Sequence, residues 1–295
     1  MDDRALWDLI CAAHRGIFPF FDPLFGRYAA EHGLTPRGLG LLLAAPTFEP
    51  ETLSPARLRV RNPYSAAEAY QQELEAVARA GFFSESPEGE FSLTVTGRLG
   101  VLDLIAAGRL LMAKADPLPP ADSARLAALT GCLVHAALDT PMLGENWSIG
   151  LSYRLMPETE PPLPYFEQAV SCLYAYRDDA HLAAWKPSGL DAPAIETLTL
   201  LWRGEADSLA VVYEKLKRRG HPSEVYTQAL NRLRARGLVS GQDASLQMTG
   251  QGKSLREIIE QDTDHYFYAP WLCLAKAEKA ELAGLSTRLR DGLQP

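Results

Sequence analysis

The chain has 295 residues, of which 47% are hydrophobic and 22% are charged. This is typical of a globular protein of two domains with sizeable cores. No run of 18 apolar residues occurs, and the acidic first residues lack the basic start of a signal peptide, so we predict a cytoplasmic protein without a membrane span. Four scattered cysteines without a Cys-x-x-Cys pair argue against a zinc cluster or a disulfide framework.

The net charge of −8 would ordinarily count against nucleic-acid binding. The charge is unevenly distributed, however, because residues 214–257 hold nine basic and four acidic side chains, a net charge of +5. This distribution predicts a basic face on an acidic body. Such a face is compatible with duplex binding, and equally with a solvated surface that has no partner.

The N-terminal helices are predicted within residues 1–32. Apolar residues recur at helical spacing from residue 5 onward. The segment Phe18–Pro23 (FPFFDP) interrupts this run, so we expect a second helix to carry Phe25–His32.

A first winged helix-turn-helix module is predicted in residues 33–114. Thr35 and Pro36 are typical of a helix start, with Thr as the N-cap and Pro at the first helical position. A second helix is expected at Ser54–Arg61, and a third helix begins at Ser65. A ribbon turn at Ser86–Glu90 and a closing helix from Gly97 to Met112 follow.

A helical middle region is predicted in residues 115–189. It begins with the proline-rich segment 115–121, and Gly144–Asn146 and Pro157–Pro164 interrupt it.

A second winged helix-turn-helix module is predicted in residues 190–262, with Asp191 as the N-cap of its first helix. The second helix is expected at Leu209–Arg219, the third at Ser223–Arg236 and the closing helix at Gly250–Asp262. Gly237, in a left-handed backbone conformation, is expected to end the third helix. A C-terminal helix occupies residues 263–295, from about Trp271 to Leu289.

The two modules share one sequence pattern, at 74–97 and 230–250. Each copy has a helix, a glycine, an apolar pair, a polar turn, Leu-x-x-Thr-Gly and another helix. We therefore predict a mainly α protein with small β wings, in which two winged helix-turn-helix modules are joined by a helical middle region.

The third helix of the second module is the better candidate for reading DNA. Its apolar stripe turns small polar and amide side chains outward, and Asn and Gln pair bidentately with adenine. Basic residues at the end of the preceding helix would hold phosphates. The predicted DNA-contacting residues are Lys217, Arg218, Arg219, Ser223, Thr227, Gln228, Asn231, Arg232 and Arg234.

The first module is a weaker candidate, because residues 54–100 carry five Arg and six Glu. Carboxylates at Glu68, Glu73 and Glu75 on its third helix would repel phosphates. We expect this module to pack against the chain or a second subunit, although DNA contact stays open.

Two aromatic clusters suggest a pocket for a small ligand. The alternative is a buried aromatic core with a hydrogen-bonded His. The residues concerned are Tyr174, Arg177, His181, Trp185, Asp264, His265, Tyr268 and Trp271.

The common metal-binding and catalytic motifs are absent from the sequence. Six His residues show neither His-x3-His nor His-Glu-x2-His spacing, and no P-loop, Gly-x-Ser-x-Gly or Gly-x-Gly-x2-Gly motif occurs. We expect no metal and no cofactor, and the sequence favours a protein that is not an enzyme.

The pattern at Leu74–Gly97 and Leu230–Gly252 resembles the MarR-type winged helix-turn-helix class. Three segments resemble a bacterial helix-turn-helix family without assigned activity: Tyr176–Leu190 (YRDDAHLAAWKPSGL), Leu230–Leu238 (LNRLRARGL) and Glu260–Trp271 (EQDTDHYFYAPW). The chain departs from that family's Arg-Gly-Asp-Gly-His and Thr-Asp-Arg patterns at Asp178, Ala180 and His265. The resemblance implies the fold and DNA binding.

The resulting hypothesis is a transcriptional regulator that binds double-stranded DNA as a homodimer and responds to a small-molecule effector. Two alternatives remain open. One is an enzyme or ligand-binding protein that uses the winged modules as a scaffold, with Arg177, His181 and Asp264 in its site. The other is an interaction protein whose helices only form a dimer.

Overall fold

The computed structural model describes residues 2–140, 147–157 and 161–293. The predicted interruption at Gly144–Asn146 lies outside the described residues, as does part of the one at Pro157–Pro164. The described residues are mainly helical and form two small antiparallel sheets of two strands each. None of the helices in these ranges has the length and apolar character that crossing a membrane requires.

The helices run in chain order as follows: α1 (Asp3–Arg15), α2 (Phe18–Glu31), α3 (Pro36–Ala44), α4 (Pro55–Arg61), α5 (Ala67–Arg79), α6 (Val95–Lys114), α7 (Pro120–Asp139), α8 (Trp147–Tyr153), α9 (Pro162–Trp185), α10 (Ala192–Trp202), α11 (Leu209–Leu216), α12 (Ser223–Ala235), α13 (Gly250–Tyr268) and α14 (Lys276–Gly292). The strands β1 (Phe83–Glu85) and β2 (Phe91–Leu93) pair, as do β3 (Val239–Gln242) and β4 (Ser245–Met248).

The chain divides into two compact units, and each is discontinuous in sequence. The larger unit comprises Met1–Leu53, Glu73–Arg177 and Phe267–Pro295, and the smaller unit comprises Ser54–Gln72 and Asp178–Tyr266. Helices α5, α9 and α13 contribute residues to both units.

The predicted break at Phe18–Pro23 is wrong, because α2 begins at Phe18. Pro19 lies in the first helical turn, where the missing N–H would have no partner within the helix in any case. Pro23 is accommodated inside the helix. Helix α1 ends earlier, at Arg15, with Gly16 as its C-cap.

Several predicted helix ends are confirmed by their hydrogen bonds. Thr35 Oγ1 accepts from Gly38 N over 2.9 Å at the start of α3, and Asp191 Oδ1 accepts from Ala194 N over 3.0 Å at the start of α10. Gly237 follows α12 with a φ of +67°, a backbone conformation that glycine adopts without strain.

The two ribbons end in the same local geometry. Thr94 Oγ1 donates to Gly81 O over 2.8 Å and accepts from Gly97 N, at the start of α6. Thr249 Oγ1 donates to Gly237 O over 2.7 Å and accepts from Gly252 N in the same way, at the start of α13. The hydroxyl thus joins the glycine after one helix to the N-terminus of the next.

The glycines in these turns leave no room for a side chain. A Cβ on Gly97 would lie 2.1 Å from the carbonyl oxygen of Phe82, and one on Gly252 would lie 2.1 Å from that of Leu238. The shared pattern is therefore Thr-x-x-Gly, with Thr94 equivalent to Thr249. The predicted pattern Leu-x-x-Thr-Gly is therefore corrected, because it aligns the two copies two residues away from this structural equivalence.

Candidate functional site

Helices α10, α11 and α12 form the core of the smaller unit. Helix α12 packs through four fully buried residues, Tyr226, Ala229, Leu230 and Leu233. Burying each large apolar side chain stabilises the unit by about 1.5–3 kcal/mol. The opposite face of α12 is left open to solvent.

The amide residues predicted to read bases are on that open face. Gln228 and Asn231 are exposed, and Glu224 is exposed as well. Ser223 and Thr227 are half-buried, and the Thr227 hydroxyl donates to Ser223 O over 3.3 Å. Two amide side chains therefore remain accessible for polar contacts to a partner.

Most basic side chains around α12 are already paired with carboxylates, which corrects the expected net charge of the basic face. Four of the carboxylates lie outside residues 214–257, so the net charge of that stretch does not include them. They are Asp191, Glu196, Glu205 and Glu260. The ion pairs are Lys215–Glu205, Lys217–Glu214, Arg219–Glu196, Arg232–Asp191, Arg234–Asp243, Lys253–Glu257 and Arg256–Glu260.

The pairs differ in accessibility. Arg232 and Asp191 are each 46% exposed, whereas Arg219 and Glu196 are only 23% and 12% exposed. Exposed pairs contribute little to stability and can exchange partners. Within the described ranges, Arg218 and Arg236 are the members of the basic stretch that make no ion pair.

The turn between α11 and α12 is held by the start of α5. Gly220 has a φ of +78°, and a Cβ there would lie 2.5 Å from that of Ala69. Ala66 N donates to Arg219 O over 2.8 Å, and His221 Nε2 lies 3.0 Å from Tyr64 O. These contacts fix the angle at which α12 leaves the turn.

Arg219 is part of this packed structure. Its Nε donates to Glu196 Oε1 over 2.8 Å, and its guanidinium lies 5.3 Å from the centre of the Tyr64 ring. Burial raises the pKa of the Glu196 carboxyl, and the Arg219 charge opposes that shift. Burial also raises the pKa of Tyr64, whose hydroxyl accepts a hydrogen bond from Trp185 Nε1 over 3.0 Å.

A cavity of about 420 Å³ opens beside this pair, within the smaller unit. Apolar side chains of α10 and α11 and the Tyr64 ring form part of its wall. The charged lining residues are Glu196, Arg203, Glu205, Lys215, Arg218 and Arg219, and His181 and Thr199 are also present.

The residues predicted to form a ligand pocket belong to two groups. Tyr174, Arg177, Tyr268 and Trp271 are in the larger unit, and His181, Trp185, Asp264 and His265 are in the smaller unit. Trp7 packs edge-on against Tyr174 at 5.0 Å between ring centres and lies 6.3 Å from Trp271. Arg177 lies 5.1 Å from the Phe267 ring centre.

Of the predicted pocket residues, only His181 lines the 420 Å³ cavity. Its Nδ1 lies 3.2 Å from Thr263 Oγ1. The other lining residues were not predicted as ligand-binding, because they come from five separate segments of the chain. A usable signal was the group of basic residues at 203, 215, 218 and 219, close in sequence to one another. The described residues hold no cluster of three His, Cys, Asp or Glu side chains that could bind a metal ion.

The tight turn at Gly220 followed by the exposed face of α12 defines a protein of the helix-turn-helix class. Residues 48–294 match the model of a helix-turn-helix family, and the chain belongs to this family. No curated protein and no solved structure matches the chain.

Proposed function

We propose that this protein is a transcriptional regulator that binds double-stranded DNA through α12. The observation that carries the proposal is the exposed face of that helix, where Gln228 and Asn231 lie opposite the buried residues. Amide side chains on a rigid helix suit adenine edges in the major groove. Membership of a helix-turn-helix family supports the same function.

Phosphate contacts in this proposal come from residues that can leave their present partners. Arg218 makes no ion pair among the described residues, and Lys217, Arg232 and Arg234 are held by exposed or half-exposed carboxylates. Exchanging a surface carboxylate for a phosphate costs little. Arg219 is less available because of its buried pairing with Glu196.

The proposal includes two winged helix-turn-helix modules of MarR-like type, at residues 33–114 and 190–262. Support comes from the equivalent hydroxyl bridges of Thr94 and Thr249, each at the end of a two-stranded ribbon. In the first module, Thr35 donates to Glu73 over 2.7 Å, so this carboxylate of α5 already takes part in internal packing. We assign DNA contact to the second module.

A homodimer is part of the same proposal. Helix α6 exposes apolar side chains along one face: Val95 is 79% exposed, Leu99 59%, Leu102 44% and Leu110 56%. Their spacing places them on one stripe over four turns. A second copy that covers this stripe would give a dimer with two copies of α12, as binding to paired half-sites requires.

The experiment is a selection of bound duplexes from a pool with randomised bases, carried out with the full chain. The proposal expects enrichment of a defined motif, arranged as two related half-sites if the dimer binds. Gln228→Ala should relax the preference at one position of each half-site. A pool that emerges unenriched would contradict the proposal.

A further inference from the structure

The 420 Å³ cavity has the size of a site for a small organic molecule. Its wall is formed by three kinds of side chain: apolar side chains from the helices, an aromatic ring, and charged groups. The cavity lies entirely within the smaller unit, so all the residues that form it belong to one packed structure.

The charged lining is unbalanced. Four cations, Arg203, Lys215, Arg218 and Arg219, face two carboxylates, Glu196 and Glu205. Glu205 is the only carboxylate paired with Arg203 and Lys215 in the described residues, over 3.9 and 3.7 Å. Such distances are longer than a close charged hydrogen bond. The wall therefore carries an excess of two positive charges.

One carboxylate oxygen of the lining residue Glu196 also lacks a donor. Glu196 Oε2 is buried and receives no hydrogen bond from the described residues, while Oε1 holds Arg219. Buried acceptors are normally satisfied by a partner. The Glu196 carboxylate is therefore a polar group of the lining residues that the protein satisfies only in part.

We propose that this cavity binds a small organic dianion with an apolar body, and that the bound ligand withdraws Arg218 from DNA. Two phosphate or carboxylate charges would neutralise the excess cations, and the apolar body would contact Tyr64 and Leu216. Arg218 lies both in the cavity wall and in the proposed phosphate-contacting set, so it cannot serve both partners at once. The second half of this proposal rests on the proposed DNA binding; the first half stands without it.

The first experiment measures ligand binding without DNA, by thermal unfolding and calorimetry of the full chain. Phenyl phosphate and phthalate are the probes, benzyl alcohol is the neutral control, and sulfate at equal ionic strength controls for salt. Lys215→Gln removes a cavity cation outside the DNA-contacting set. Arg236→Gln is its matched control, because Arg236 is an exposed cation that does not line the cavity.

At least one dianion should bind, and the stronger of the two identifies phosphate or carboxylate as the preferred group. Lys215→Gln should weaken binding about tenfold through loss of one charged contact, and Arg236→Gln should leave it unchanged. If both dianions stabilise the protein no more than sulfate does, or if the two variants respond alike, the site is overturned.

The second experiment adds the selected duplex. The better dianion should weaken DNA binding by the wild type and should do so much less in Lys215→Gln. Equal weakening in both proteins would overturn the coupling to Arg218. If the chain binds the dianion but no duplex, the cavity site holds and the proposed function fails, so the two failures are distinguishable.

Discussion

Arg219 and Glu196 form the least accessible of the ion pairs around the α11–α12 turn, with Arg219 Nε donating to Glu196 Oε1 over 2.8 Å. The pair joins α10 to the turn, and the Tyr64 ring covers the guanidinium. A residue expected from the sequence to hold phosphate thus also organises the helix-turn-helix.

Arg219→Ala should lower the free energy of unfolding by about 1–3 kcal/mol, because it leaves the Glu196 carboxylate buried without its partner. Urea denaturation measures this loss. The exposed neighbour is the control: Arg218→Ala should change stability by no more than about 0.5 kcal/mol. Equal effects of the two substitutions would show that the Arg219–Glu196 pair is not structural.

Stability of the Arg219→Ala variant should fall as pH rises. Burial raises the pKa of Glu196 above its ordinary value of 4.5, and removal of Arg219 takes away the charge that opposes this shift. The folded variant then binds the proton more tightly than the unfolded chain does, so unfolding becomes easier as pH rises from 4.5 through the raised pKa. Adding Glu196→Gln should flatten the profile over this window. A profile that is unchanged by the added substitution would contradict the assignment to Glu196.

The turns at Gly97 and Gly252 should respond alike to the addition of a side chain. Gly97→Ala and Gly252→Ala should each destabilise the protein by about 3 kcal/mol or more, because each Cβ would overlap a carbonyl oxygen. Gly250→Ala is the control, since a Cβ there meets nothing within 4 Å. Thermal unfolding would compare the three. A large effect at only one of Gly97 and Gly252 would contradict the proposal that the two turns belong to equivalent modules.

The exposed apolar stripe of α6 is the proposed dimer interface. Leu99→Glu with Leu102→Glu should convert a dimer into monomers, because charged groups in an apolar interface lose their hydration. Light scattering with size-exclusion chromatography measures the mass. Ala107→Glu, an exposed position on the same helix outside the stripe, should leave the dimer intact. A wild type that is monomeric at high concentration would refute the interface outright.

Local sequence signals predicted much of the helical framework. Thr35, Asp191 and Gly237 mark helix ends because their side chains or backbones act within four residues. The expectation at Phe18–Pro23 was wrong, since Pro19 lies in the first turn, which tolerates proline, and Pro23 is accommodated within the helix interior.

Charge pairing and the cavity could not be predicted in the same way. Asp191 is 41 residues from Arg232, and Glu196 is 23 residues from Arg219. A net charge counted along a stretch omits such distant partners. The cavity joins Tyr64 to residues more than a hundred positions later, a relationship that depends on packing and not on local pattern.

The most direct measurement is the salt dependence of binding to the selected duplex, by fluorescence anisotropy of the wild type and Asn231→Ala. We predict that affinity falls steeply as salt rises, and that Asn231→Ala loses about 1–3 kcal/mol of discrimination between selected and scrambled duplexes. Binding that is absent, insensitive to salt, or equally selective in both proteins would contradict the assignment of α12 as the reading helix.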